Sequence, residues 1–270
     1  MAVIRKHPEL IFELAALFVL LIAAIAAPFV YSAGPLETSA ALRLLPPSSA
    51  HFFGTDEYGR DILSRTCYGI RVSVVIGFSV VLISSAAGVA VGLLCGWFDK
   101  ADRIISRLLD GFMAFPEIIL AITLAAIWGA GERNLILALS FAFFPKMTRV
   151  VRSCALSIKP QEHIQSGKAV GAGTWALVFR YVLQGCVSAI IVQATFCFAS
   201  AILSEAALSF LGVGIKEPKP SLGGMVSAAR NYMTVAPWTI LLPGSVIMII
   251  VLVLNITGDS LRDLLDPKYK

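Results

Sequence analysis

The stretch VSVVIGFSVVLISSAAGVAVGLLCGWF at residues 72–98 contains no charged side chain. It is longer than the ~20 apolar residues that a helix needs to cross the hydrocarbon core of a bilayer. The mean hydropathy of +0.82 and the charged fraction of only 14% extend this pattern to the whole chain. Because a soluble core could not hide so many apolar runs from water, the sequence predicts an all-α membrane protein. The other uncharged runs are 14–36, 118–131, 134–145, 181–204 and 231–258.

Six transmembrane helices are predicted, and together they make one membrane domain at residues 10–258. The third span accepts Asp110 and Glu117 near its start. The fourth reaches full length only by including Lys146 and Arg149. The predicted spans are 10–31, 72–97, 107–129, 134–151, 186–211 and 237–258.

The distribution of Lys and Arg predicts the orientation, because these residues stay preferentially in short cytoplasmic loops. Most of the 22 basic residues fall on the inner side if the chain starts inside the cell. This predicts a cytoplasmic N-terminus at 1–9, a cytoplasmic loop at 153–185 and a cytoplasmic tail at 259–270. We expect Gly258 to end the sixth span, and the tail to begin with one or two separate helical turns.

Several functional classes are disfavoured by the composition. The net charge of +5 is spread over loops, which does not indicate a nucleic-acid partner. The Cys and His residues lack metal-ligand spacing, and no Gly-x-x-x-x-Gly-Lys-Ser/Thr motif is present to bind ATP. We therefore expect neither catalytic residues nor a metal or other cofactor in this chain. An ion-coupled carrier remains a rival, although no repeated half is evident and only Glu205 lies well inside a span.

Residues 161–185 read QEHIQSGKAVGAGTWALVFRYVLQG, which is too polar to span a membrane and too apolar for a free loop. They predict a helix–turn–helix in which Gly171 and Gly173 break the first helix. Thr174 is expected to cap a second helix that runs into the fifth span. Amphipathicity alone fits a helix lying on lipid as well as one that docks on a protein.

A first resemblance to a known family rests on Gly171 and Leu183 of this loop. Tyr181 lies two residues before Leu183, and Gln184 follows it. The segment resembles the cytoplasmic coupling loop of bacterial ABC import permeases, whose pattern is Glu-Ala-Ala, three residues, Gly, nine residues, then Ile-x-Leu-Pro. The resemblance implies that the loop seats in an ATPase subunit, where glycines allow close approach to a groove. The implied ATPase-coupling residues are Gln165, Ser166, Gly167, Gly171 and Leu183.

A second resemblance covers nearly the whole chain. Its motifs are GTDEYGRDILSR at 54–65, YGIRVS at 68–73, FP at 115–116, EAALSFLGVG at 205–214, APW at 236–238 and GDSLRDLLDP at 258–267. In this order they resemble the second permease subunit of the dipeptide/oligopeptide/nickel importer family.

That resemblance implies a type I ABC importer permease fold in the bacterial plasma (inner) membrane, surrounded by membrane lipid. It also implies a second homologous permease, two ATP-binding subunits that hold ATP and Mg, and an extracytoplasmic substrate-binding protein. Peptides are the favoured substrate, and nickel or a metal chelate is the alternative.

The first of these motifs contains the (i, i+4) pairs Asp56/Arg60 and Asp61/Arg65. If Thr55 or Asp56 starts a short helix at the outer surface, both pairs lie on its wet side. We expect Asp56, Arg60 and Asp61 to face the binding protein, the alternative being a solvated helix face.

Glu205 is flanked on both sides by long uncharged sequence. A charge at the centre of a spanning helix costs ~2.5–3.5 kcal/mol on insertion scales, so Glu205 should face the bundle or a water-filled path. A hydrogen bond to a neighbouring helix or to the partner subunit is favoured, because buried carboxylates are usually paired. Substrate contact in the translocation pathway is the alternative.

Overall fold

The computed structural model describes Ile22 and residues 34–265. The predicted span at 10–31, apart from Ile22, and the tail residues 266–270 therefore lie outside the described residues. Within the described part the regular structure is helical, with an isolated antiparallel bridge between Thr55 and Asp61. The predicted all-α fold is confirmed for this part of the chain.

Residues 34–265 form nine α-helices, which we number in chain order. The sixth continues through a π-helical turn at Val178–Val182 into the seventh, so that Thr174–Phe210 is one continuous helix. The helices are α1 Ile62–Trp97, α2 Asp99–Met113, α3 Glu117–Trp128, α4 Glu132–Ile158, α5 Glu162–Ala169, α6 Thr174–Leu177, α7 Leu183–Phe210, α8 Leu222–Ala229 and α9 Trp238–Leu265.

Four of the described helices are long and apolar enough to cross a membrane by themselves: α1, α4, the continuous α6–α7 and α9. The bent pair α2 and α3 makes a fifth if it counts as one span. These helices occupy the positions of the last five predicted spans. Both α1 and α4 extend well beyond the predicted boundaries, because a helix does not have to end where its charged residues begin.

The third predicted span, 107–129, is not one continuous helix. The chain breaks between α2 and α3, whose axes differ by 87°. Pro116 stands immediately before α3 with φ −55° and ψ 133°. Proline lacks the backbone N–H of a helix interior and disfavours helical geometry at the preceding Phe115, which explains the break.

Gly258 does not end the last span, contrary to the sequence-based expectation. Helix α9 continues through it to Leu265. Gly258 is buried, and a Cβ atom there would lie 3.4 Å from side-chain atoms of Phe196 and Thr195. Gly258 thus lies at ordinary contact distance from α7, and the residues after it prolong the spanning helix.

The pair formed by α1 and α4 is the centre of the bundle, and glycine makes it possible. Gly88, Gly92 and Gly96 recur every fourth residue along one face of α1. Cβ atoms at these positions would lie only 2.6 Å from Met147, 2.7 Å from Val151 and 2.4 Å from Ala155 of α4. Small residues at this spacing let membrane helices approach each other closely, which secures α4 against α1.

Candidate functional site

Helices α5 and α6, with the turn between them, form a helical hairpin at residues 162–177. The turn ends α5 with a Schellman motif, in which Gly171 N–H donates to Lys168 O at 3.0 Å and Ala172 N–H donates to Gly167 O at 3.0 Å. Gly171 has φ +84°, the left-handed conformation that this motif requires. The predicted helix–turn–helix is thus present, but Gly173 rather than Thr174 occupies the N-cap position, without a side-chain cap.

One side of the helical hairpin is fixed to the long helices. Ile164 is completely buried, and with Val178 it belongs to an apolar cluster to which α1, α4 and α7 also contribute. Gly167 lies against Leu177, since a Cβ atom at Gly167 would be 2.8 Å from Leu177 Cδ2. The Lys168 ammonium lies 5.0 Å from the centre of the Trp97 ring at the end of α1. The helical hairpin is therefore packed into the bundle on this side.

The opposite side of the helical hairpin is open. Val170 at its turn is 89% exposed. Nothing lies within 4 Å of the position that a Cβ atom of Gly171 would take. Trp175 and Phe179 are also exposed, but they lie on the α1 side, where the Trp175 ring centre is 6.1 Å from that of Phe98 and both rings border an apolar groove with residues of α1. The turn thus presents an exposed apolar residue on a base that is packed into the bundle, an arrangement that suits docking to another protein.

The five predicted coupling residues separate into two groups. Gln165, Ser166 and Gly171 are exposed, and the Gln165 side-chain amide donates to Lys159 O at 2.9 Å. Gly167 and Leu183 face the apolar cluster at the base of the helical hairpin. The close approach that Gly167 permits is therefore to another part of this chain, whereas the space next to Gly171 is open.

A row of ion pairs joins α4 to α2 and α3 next to the helical hairpin. The strongest by geometry is Arg152–Asp102, a bidentate pair with Nη2–Oδ2 at 2.7 Å. These pairs partner three cations of α4 and Lys159, the residue that follows it. The other three are Lys146–Glu117 at 3.1 Å, Arg149–Asp110 at 2.5 Å and Lys159–Asp99 at 2.9 Å.

The motif at 54–65 forms no helix at Thr55 or Asp56, so that prediction is wrong. Gly54 and Gly59 both have φ +72°, and the chain between them doubles back through the Thr55–Asp61 bridge. A glycine is needed at Gly59 because a Cβ atom there would lie 1.9 Å from Ser39 O. The segment is a tight turn packed on the preceding loop.

The charges of this turn point inward. Asp56 and Arg60 are only 7% and 6% exposed, and Arg60 Nε donates to Asp56 Oδ2 at 2.6 Å. Arg65 Nε lies 3.5 Å from the same oxygen, so the predicted Asp61/Arg65 pair does not form. Burial raises the pKa of the neighbouring Glu57 above its usual range, and the adjacent Asp56 charge adds to this effect.

Asp61 stabilises the start of α1 instead. Its Oδ1 accepts from the backbone N–H of Ser64 at 2.8 Å, as an N-cap, and its Oδ2 lies 2.9 Å from His51 Nδ1. Arg65 in turn donates from Nη1 to Pro35 O at 3.1 Å. Asp56, Arg60 and Asp61 thus hold the loop before α1 onto that helix, and do not form a wet charged face.

Glu205 is fully buried between α1 and α7. Ser73 Oγ donates to its Oε2 at 2.6 Å and Ser209 Oγ donates to its Oε1 at 2.9 Å. Both carboxylate oxygens therefore have a hydroxyl donor from this chain. This geometry matches the expected contact with a neighbouring helix.

Ser73, Ser209 and Arg65 were not predicted from the sequence as partners of buried charges. Ser73 and Ser209 do stand in motifs at 68–73 and 205–214, and a polar residue in an apolar helix is a usable signal. The four-residue spacing of Gly88, Gly92 and Gly96 could likewise have indicated the α1–α4 contact.

Together these features define a polytopic α-helical membrane protein with a helical hairpin packed against the ends of its spanning helices. Residues 88–270 match the model of the family described as binding-protein-dependent transport system inner membrane component. The chain belongs to this family, and it is a permease subunit of such a transport system.

Curated relatives match almost the full chain. A putative peptide transport system permease protein of Brucella abortus is 38% identical, over 99% of this chain and 90% of the relative. The dipeptide transport system permease protein DppC of Alkalihalophilus pseudofirmus is 41% identical, over 99% of this chain and 88% of the relative. The glutathione transport system permease protein GsiD of Pectobacterium atrosepticum is 42% identical, over 83% and 75%.

A solved structure supports the fold. A chain of the inward-facing MetNI methionine ABC transporter aligns with a TM-score of 0.62 at 20% sequence identity. The alignment covers 76% of this chain and 96% of that chain. The helical arrangement described above is therefore the fold of that transporter chain.

Proposed function

We propose that this permease subunit forms, with a second homologous permease, the membrane pathway for peptides delivered by an extracytoplasmic binding protein. Two separate ATPase subunits bind ATP and Mg and supply the energy, and this chain performs no catalysis itself. The complete subunit has six spans in the bacterial plasma membrane, with both termini in the cytoplasm. The peptide substrate is supported by the names of the relatives, which are described as peptide, dipeptide and glutathione transport proteins.

The observation that carries this proposal is the two-sided character of the helical hairpin. Its outer side offers Val170 to a partner, and its inner side is packed into the ends of α1, α4 and α7. When an ATPase subunit that holds the tip moves, the packed base transmits the motion to three spanning helices. The helical hairpin is therefore the coupling element of the importer.

The alternative of a helix lying on lipid fits the hairpin less well. A lipid-bound helix places its apolar face in the membrane. In α5 the apolar Ile164 faces the protein interior, while Glu162, His163, Gln165 and Ser166 are exposed. This distribution indicates that the exposed face of α5 lies in water, where it can contact another protein.

The test is Val170→Asp in the assembled importer. A carboxylate at the tip should disrupt an apolar contact with the ATPase, so that the complex loses most of its substrate-stimulated ATP hydrolysis and co-purifies with less ATPase. Val235→Asp is the matched control, since Val235 is also largely exposed, at 69%, but lies far from the helical hairpin in the chain, before α9. Full stimulation in the Val170 variant at normal ATPase content would disprove the coupling role.

The substrate is tested separately with the cognate binding protein and the reconstituted importer. Uptake of a labelled dipeptide should depend on ATP and should be blocked by excess unlabelled dipeptide. Uptake of nickel or a nickel chelate under the same conditions, without dipeptide uptake, would replace peptides by the metal alternative.

A further inference from the structure

Helix α2 (Asp99–Met113) carries three different side-chain stripes. The acidic residues Asp99, Asp102 and Asp110 face α4, where they pair with its cations. A second stripe, turned roughly 100° away on a helix of 3.6 residues per turn, is basic. Between the basic stripe and the body of the protein lies an apolar stripe. The basic stripe is Lys100, Arg103 and Arg107, and the exposed part of the apolar stripe is Ile104, Leu108 and Phe112.

The basic stripe has no anionic partner within the part of the chain that the structure describes. All three of its residues are exposed, and none takes part in the ion pairs among residues 34–265. The carboxylates of α2 are already used by α4, so they do not neutralise these cations. Ile104 and Leu108, which border the basic stripe, are 66% and 61% exposed. The open surface of α2 is therefore cationic on one edge and apolar on the other.

The position of α2 brings this surface to the level of the membrane boundary. A single residue, Phe98, separates the helix from Trp97, the last residue of the spanning helix α1. It is turned by 87° from α3, which packs in the apolar bundle. Lys159 ties the start of α2 to the end of α4 through Asp99 and Trp97 O, both at 2.9 Å. Tryptophan and cations at the end of a spanning helix are typical of the interface between lipid and water.

We propose that the exposed face of α2 binds the phosphate headgroups of anionic phospholipids. Arg103 and Arg107 contact the phosphates, and Ile104 and Leu108 enter the acyl boundary beneath them. An amphipathic helix that combines exposed apolar residues with Lys and Arg has the chemistry for anionic lipid surfaces. The assignment to the inner leaflet rests on the cytoplasmic placement of the helical hairpin proposed above.

The experiment measures the lipids retained by the purified importer. The complex is reconstituted in nanodiscs of phosphatidylcholine and phosphatidylglycerol in equal amounts, and native mass spectrometry gives the ratio of the two lipids that stay bound. Each Lys or Arg side chain near an anionic surface increases the binding constant about fivefold, and by less at physiological salt. The double variant Arg103→Gln/Arg107→Gln should therefore lower the preference for phosphatidylglycerol by at least about fivefold.

Two controls isolate the electrostatic effect at α2. Arg103→Lys/Arg107→Lys keeps both charges and should retain the preference. Arg180→Gln/Arg262→Gln removes two exposed arginines proposed to lie on the same side of the membrane and should also retain it. An unchanged lipid ratio in the glutamine variant of α2, or an equal loss in either control, would overturn the proposal. If the glutamine variant of α2 lost a partner subunit while its lipid ratio stayed unchanged, the lipid proposal would also be overturned. The exposed face of α2 would then be a protein interface.

A labelling experiment distinguishes failure of the lipid proposal from failure of the proposed orientation. A membrane-impermeant thiol reagent should label an Arg103→Cys variant, in a background without the native cysteines, only from the cytoplasmic side. Labelling from outside would refute the proposed orientation and with it the inner leaflet. A lost lipid preference in the glutamine variant would still be detected in that case, because the nanodisc exposes both faces.

Discussion

Glu205 of α7 accepts a 2.6 Å hydrogen bond from the hydroxyl of Ser73 in α1. Together with the bond from Ser209, this contact satisfies both oxygens of a carboxylate buried between two spanning helices. Glu205 therefore connects α1 to α7 near the end of α7. The contact makes a structural role the expected one.

Glu205→Gln and Glu205→Leu should separate structure from transport. Glutamine keeps the shape and an acceptor oxygen, so uptake into vesicles at matched complex abundance should stay near normal. Leucine leaves the Ser73 and Ser209 hydroxyls without this acceptor, and the loss of the one interhelical hydrogen bond, from Ser73, costs about 0.6–1.7 kcal/mol. The thermal unfolding midpoint should fall for leucine only. A strong loss of uptake in a stable glutamine variant would instead assign Glu205 to the substrate path.

Gly92→Ala should destabilise the bundle. The added methyl group would lie 2.7 Å from Val151 Cβ and 2.8 Å from Thr148 O, so α1 and α4 have to separate. We expect a loss of about 1–3 kcal/mol, seen as a lower unfolding midpoint. Gly244→Ala in α9 is the matched control, because nothing lies within 4 Å of its added Cβ. Equal midpoints for the two variants would contradict the close packing of α1 on α4.

Asp56→Ala should be more harmful than a surface substitution. It leaves the buried cations of Arg60 and Arg65 without the carboxylate that both approach, and removing one partner of a buried pair costs about 3–5 kcal/mol. The variant should show low abundance and faster limited proteolysis in the loop at 34–61. Asp259→Ala, which removes an exposed carboxylate, should behave like the unmodified protein. If the Asp56 variant were fully stable but failed to bind the substrate-binding protein, the charge would belong to a docking surface after all.

Cysteine labelling tests the orientation at positions that are open to a reagent. Phe52 and Glu162 are both exposed in the structure. In a background without the five native cysteines, a membrane-impermeant thiol reagent added outside should label Phe52→Cys and should not label Glu162→Cys. Opening the vesicles should make position 162 reactive. The reverse pattern would invert the orientation and remove the helical hairpin from the cytoplasm.

Much of the helical layout can be predicted from local properties of the chain. In a bilayer every backbone N–H and C=O needs an internal partner, so a long uncharged run has to be a helix. This holds for α1, α4, α7 and α9. Gly171 is a second case, because a helix ending in the left-handed conformation selects glycine at that position. The break at Pro116 had a local signal too, although the uncharged run after it favoured one straight span.

The sequence by itself therefore determined the positions of the long helices α1, α4, α7 and α9, where the helical hairpin turns and which residue types carry charge. Only the tertiary structure decided where each charge goes. The (i, i+4) spacing suggested that Asp61 pairs with Arg65, yet the turn at Gly59 directs Arg65 to Asp56 and leaves Asp61 to cap α1. Arg152 pairs with Asp102, and Ser73 donates a hydrogen bond to Glu205. In each case the two residues lie on helices that are distant in sequence. Spacing along a chain specifies neighbours on one helix, whereas pairing between helices depends on how closely their small residues let the backbones approach.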